Sequence, residues 1–92
     1  MQVKVVNGRV ELRKKNGILI RVVGYSNAVY AELHPSKNIL LIITETGKLE
    51  LRNTEGSVIK EISSSGAREA RFKEDMVIFQ TQKGDWAEHS IN

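Results

Sequence analysis

A six-residue segment occurs twice in this chain, and no other feature restricts its fold as much. Gly8-Arg9-Val10-Glu11-Leu12-Arg13 is matched 39 residues later by Gly47-Lys48-Leu49-Glu50-Leu51-Arg52. Within each copy apolar and charged residues alternate, the period of a half-buried β-strand. The match extends beyond the segment. Asn16-Gly17 corresponds to Glu55-Gly56, Ile20-Arg21 to Ile59-Lys60, and Ala28, Ala31 and Leu33 to Ala67, Ala70 and Phe72. After a loop shorter by two residues, Thr44 and Gly47 correspond to Thr81 and Gly84.

Turn signals divide the chain about every ten residues: Asn7-Gly8, Asn16-Gly17, Thr46-Gly47, Glu55-Gly56, Ser65-Gly66 and Lys83-Gly84, with the longer loop His34-Pro35-Ser36-Lys37-Asn38. Glycine supplies the positive φ that tight turns require. No window keeps a helical period. The pattern predicts ten strands, over 2–6, 9–13, 18–23, 28–33, 39–44, 48–52, 58–62, 67–72, 76–81 and 85–91. Connections this short pair neighbouring strands antiparallel. The fold class is therefore all-β, built as antiparallel four-stranded units at a period near 40 residues, the spacing of propeller blades.

The stretch 28–62 resembles a blade of the WD-repeat-type β-propellers. Its order is an inner strand 28–33, then 39–44, then 48–52, then an outer strand 58–62. Arg52-Asn53 stands where that family usually closes its third strand with Trp-Asp, and the family's Gly-His pair before the inner strand is also missing. The resemblance implies one domain, 1–92, made of a partial blade over 1–27, a complete blade over 28–62 and a partial blade over 67–92. The run Ile39–Ile43, five apolar residues together, suits a strand covered on both faces, as in the middle of a blade. A ten-stranded barrel or a sandwich is the alternative, although an inner sandwich strand should alternate.

Ninety-two residues make a small domain with a thin core. There is no cysteine to staple it, which fits a reducing compartment. The longest apolar run is far too short to span a bilayer, and the first fifteen residues hold no signal-peptide core. The expectation is a cytoplasmic protein without membrane contact, supported by self-association. Labelled A to D from the inside out, the strands read BCD, ABCD, ABC. Setting the last two strands outside the ring leaves BCDABCDA, in which strand 67–72 completes a neighbour's sheet. Setting the first two outside also closes. The tail 76–92 is the favoured outsider because it lacks the Glu-Leu-Arg pattern. Each chain then contributes two blades, and a trimer is the favoured homo-oligomer. Ala67, Ala70, Phe72, Val3 and Val5 are its expected interface residues.

Net charge is +3, but residues 1–30 hold six Lys/Arg against one Glu. Arg13, Lys14 and Lys15 form the sharpest cluster, which would take phosphate or nucleic acid through salt-dependent contacts or simply sit in water. Trp86, with Asp85 and Glu88 beside it, is the candidate for stacking a carbohydrate, as in small propeller lectins. Those lectins are richer in tryptophan than this chain, whose aromatic content is 5%. The other use of Trp86 is as an interface anchor. Glu11/Arg13 and Glu50/Arg52 look like cross-strand ion pairs. No catalytic constellation stands out. His34 and His89 are expected as solvated or rim residues, Ser63-Ser64-Ser65-Gly66 is turn composition, and two histidines without cysteine make no zinc set. No cofactor and no metal are expected. The expected function is a non-enzymatic interaction or assembly module forming a propeller ring, with a protein partner possible. Carbohydrate binding, or anion and nucleic-acid binding on a basic rim, is the alternative.

Overall fold

The computed structural model describes residues 1–91. Among them are ten strands and no helix: β1 (Gln2–Val6), β2 (Arg9–Arg13), β3 (Leu19–Gly24), β4 (Ala28–Leu33), β5 (Ile39–Thr44), β6 (Leu49–Asn53), β7 (Val58–Ser63), β8 (Glu69–Lys73), β9 (Met76–Gln80) and β10 (Trp86–Ser90). With no helix in this set, none is long and apolar enough to cross a membrane. The strands form three antiparallel sheets in chain order: a first sheet β1-β2-β3, a second β4-β5-β6-β7 and a third β8-β9-β10. They do not close into one barrel.

The sheets stack on one another, and β5 shows why. Its side chains alternate between two cores. Leu40 and Ile42 pack with Val10, Leu12, Val23 and Ala28 of the first junction. Leu41 and Ile43 pack with Leu49, Leu51, Ala70 and Val77 of the second. A strand with apolar neighbours on both sides needs no polar face, which accounts for the unbroken apolar run. Burying each such side chain stabilises the fold by about 1.5–3 kcal/mol.

The two junctions are built alike at the backbone. The Ala28 N–H donates to the Gly8 carbonyl at 2.9 Å, and the Ala67 N–H donates to the Gly47 carbonyl at 3.0 Å. Both acceptors are the turn glycine that opens the repeated segment, and both donors are alanines entering the next sheet's first strand. The chain crosses so close that a Cβ on Gly47 would lie 2.6 Å from the Ala67 nitrogen. A Cβ on Gly8 would lie 2.6 Å from the Ser26 carbonyl carbon. Only glycine fits at either crossing.

Val3 and Val5 pack against the first core, and Ala67, Ala70 and Phe72 against the second. All five therefore serve contacts within the chain. The third sheet also keeps its own first strand: β8 pairs with β9 from Glu69 opposite Gln80 to Lys73 opposite Met76. Strands β9 and β10 do not stand apart as a displaced hairpin, because Val77 and Ile91 are buried in the second core.

Candidate functional site

Three places gather the polar chemistry of the molecule: a clasp between the first two sheets, a groove between the second and third, and the outer faces of the end sheets.

The clasp is made by Tyr25, Glu50 and Arg52. Glu50 alternates with core residues Leu49 and Leu51, so it points toward the first sheet, where it is buried. The Tyr25 hydroxyl donates to the Glu50 carboxylate. Arg52 approaches the same carboxylate at 3.2 Å, stacks its guanidinium 4.7 Å from the Tyr25 ring centre and donates to the Gly56 carbonyl at 2.5 Å. Lys48 adds a longer contact to Glu50 at 3.5 Å. Burial raises the Glu50 pKa, but the Tyr25 hydrogen bond and the Arg52 and Lys48 charges outweigh it, and the net shift is downward. Burial first, then the bond to Glu50, pushes the Tyr25 hydroxyl far up. Tyr25 is therefore a neutral donor and Glu50 a charged acceptor. Tyr25 holds φ at +70°, a left-handed conformation that costs a side-chain-bearing residue roughly 1–2 kcal/mol. The clasp offsets that cost.

The groove runs along β4 and β8, the first strands of their sheets, and encloses about 570 Å³. Ile43 and Ala70 line it together with Tyr30, Glu32, Arg68 and Arg71. Glu32 accepts the Tyr30 hydroxyl at 2.6 Å and the Phe72 N–H at 3.3 Å. Burial and this carboxylate push the Tyr30 hydroxyl up to about 12. Glu32 and Tyr30 are thus paired with each other, while Arg71 turns toward Trp86.

The end faces carry the residues singled out in the sequence. On the first sheet, Arg9, Glu11 and Arg13 point away from the core that holds Val10 and Leu12. Glu11 lies beneath Arg9 at 2.6 Å and Arg13 at 2.7 Å. The hydrogen bond from Arg13 holds its carboxyl below the usual range, against the opposing effect of burial. Arg13 is thus bound along its own strand to Glu11 and across the turn to the Gly17 carbonyl at 2.7 Å. Lys14 and Lys15 stand exposed in that turn, whereas Arg13 is held by these bonds. Both Glu–Arg pairs lie along one strand, not across two as expected. Their spacing by two places them on one face of the pleat.

On the third sheet, Trp86 is half exposed. Its ring faces the Arg71 guanidinium at 5.8 Å. Asp85 and Glu88 are exposed beside it.

His34 departs from expectation. It is buried, with its ring edge-on to Phe72 at 4.8 Å. Its Nδ1 accepts the N–H groups of Ser36 and Lys37, each at 3.1 Å. Its Nε2–H is thereby left to donate to the Glu74 carbonyl at 2.9 Å. The ring ties the 34–38 loop to the β8–β9 turn. The Tyr25 clasp had no sequence signal beyond a tyrosine after a glycine.

No protein-family model and no curated protein matches the chain.

Proposed function

We propose that this chain is a non-enzymatic assembly module whose sheets act as blades of a WD-repeat-like propeller completed by a second copy. One observation carries the reading: the two sheet-to-sheet junctions inside the chain repeat each other. The Gly8–Ala28 and Gly47–Ala67 bonds match in donor, acceptor and position. A sequence that encodes the same junction twice encodes a stacking rule, and stacked units bury their faces on neighbours. Three sheets per chain alter the ring arithmetic expected from two blades. Two copies supply six sheets, within the usual range of about four to eight blades, whereas three copies supply nine. The ring closes head to tail, the outer face of one third sheet on the outer face of the other copy's first sheet. Charge favours this order. Residues 1–27 hold six Lys/Arg and one Glu, and residues 67–92 hold four Lys/Arg and five Asp/Glu.

The absence of cysteine makes cross-linking a clean test. Lys4 alternates with Val3 and Val5 and so lies on the outer face of the first sheet, and Glu88 lies on that of the third. Oxidising an equal mixture of Lys4→Cys and Glu88→Cys chains is expected to give mainly the mixed dimer. Dimers of each variant with itself, in statistical proportion or in excess, would contradict head-to-tail stacking.

A further inference from the structure

The acidic–basic set that receives Tyr25 occurs twice in the chain and is used once. Lys48, Glu50, Arg52 and the Gly56 carbonyl form the occupied set. Arg9, Glu11, Arg13 and the Gly17 carbonyl form the other, 39 residues earlier and with the same connections. The first takes an aromatic hydroxyl on its carboxylate and an aromatic ring under its guanidinium. The second has no aromatic partner among the described residues, and only the two arginines cover its carboxylate.

A stacked second copy presents one side chain suited to it. Val10, Leu49 and Trp86 hold equivalent positions, each two residues after the turn glycine and each opposite a β-strand neighbour: Val5, Ile43 and Gln80. Val10 and Leu49 are fully buried against the next sheet, while Trp86 is 50% exposed. In the first sheet Val10 is flanked by Gly24 of β3, and Tyr25 follows at once to reach across. Among the described residues the third sheet has no fourth strand beside β10, and no tyrosine reaches across from it as Tyr25 does from the first. A tryptophan where the other sheets have Val and Leu fills that room, and it carries both an apolar ring and an N–H donor.

We propose that Trp86 of one copy docks on the Glu11–Arg13 pair of a second, its indole N–H donating to Glu11 as the Tyr25 hydroxyl donates to Glu50, with Arg13 over its ring. This rests on the stacking proposed above and supplies its chemistry. A cation over tryptophan is the strongest of the cation–π pairs, and the Glu11 carboxylate becomes an acceptor for a neutral donor in a site closed to water.

Trp86 is the only tryptophan, so its emission reports the contact directly. Emission and native mass would be followed together across a dilution series of the full chain. The expected result is a shift of emission to shorter wavelength over the same concentrations at which the dimer forms. Trp86→Phe, which keeps a ring and removes the N–H, is expected to raise the dimer dissociation constant roughly tenfold or more, the effect of losing a hydrogen bond to a charged group. Glu11→Gln is expected to weaken the dimer while leaving the monomer's β-sheet circular dichroism unchanged. A dimer whose formation leaves Trp86 emission constant, and which Trp86→Phe does not weaken, overturns the proposal but leaves stacking intact. A chain that stays monomeric throughout overturns both.

Discussion

Gly47→Ala is expected to remove most of the protein's stability at 25 °C. The added Cβ would lie 2.6 Å from the Ala67 nitrogen and closer still to that of Gly66, both backbone atoms that cannot rotate away. Relief requires opening the second junction and breaking the Ala67-to-Gly47 hydrogen bond. The residue also sits at φ +83°, so a side chain is strained there whatever the space. Clash, strain and the lost bond together are expected to cost more than about 4 kcal/mol, at the extreme of single substitutions. Total stability for a chain this small lies near the low end of about 5–15 kcal/mol. Gly84 is the internal control. It has a similar φ of +91°, but a Cβ there would meet only the Gln80 amide at 4.0 Å. Gly84→Ala is expected to cost only about 1–2 kcal/mol, the price of the left-handed conformation. Thermal melts of the two variants measure the difference. Equal losses would mean that the close crossing at Gly47 is not what holds the second junction.

Leu40→Ala and Leu41→Ala are each expected to cost about 2–5 kcal/mol, and to do so in different places. Both residues are fully buried and adjacent, but one belongs to the first junction and the other to the second. Truncating Leu40 loosens the packing of the first sheet on the second, so amide exchange should accelerate first in β1–β3. Truncating Leu41 should accelerate it first in β8–β10. Hydrogen exchange read by mass spectrometry separates the two patterns, since local openings follow the contacts that hold each unit. The same pattern from both variants would mean that the three sheets behave as one cooperative block.

The strands were legible because alternation and turn glycines are local signals. β1, β2, β4 and β5 have the expected bounds, and the other six differ by one or two residues. The two-sided burial of β5 was also legible, since five apolar residues in a row leave no face for water. Side-chain partnerships were not. Glu11/Arg13 and Glu50/Arg52 read as cross-strand ion pairs on a solvated or inter-blade face, because alternation alone does not show which carboxylate will be covered. Glu11 is covered by Arg9 and Arg13, two residues away on the same face of the strand, and Glu50 by Tyr25 and Arg52 at the first junction. His34 read as a loop residue beside a proline, whereas its burial depends on Glu74 and Phe72, 40 and 38 residues further on. The place of β9 and β10 was missed for a related reason. Their sequence lacks the repeated Glu-Leu-Arg pattern, but pairing with β8 is decided by the short β8–β9 turn and by Val77 reaching the second core. Register and apolar position outweighed motif.

In the proposed assembly the stacked sheets of one chain are completed by those of a second. Light scattering coupled to size exclusion, followed from high to low concentration, tests it most directly. The expected result is a particle of two chains that dissociates on dilution without unfolding. A particle of one chain at every concentration would contradict it, and the molecule would then be a self-contained stack of three sheets.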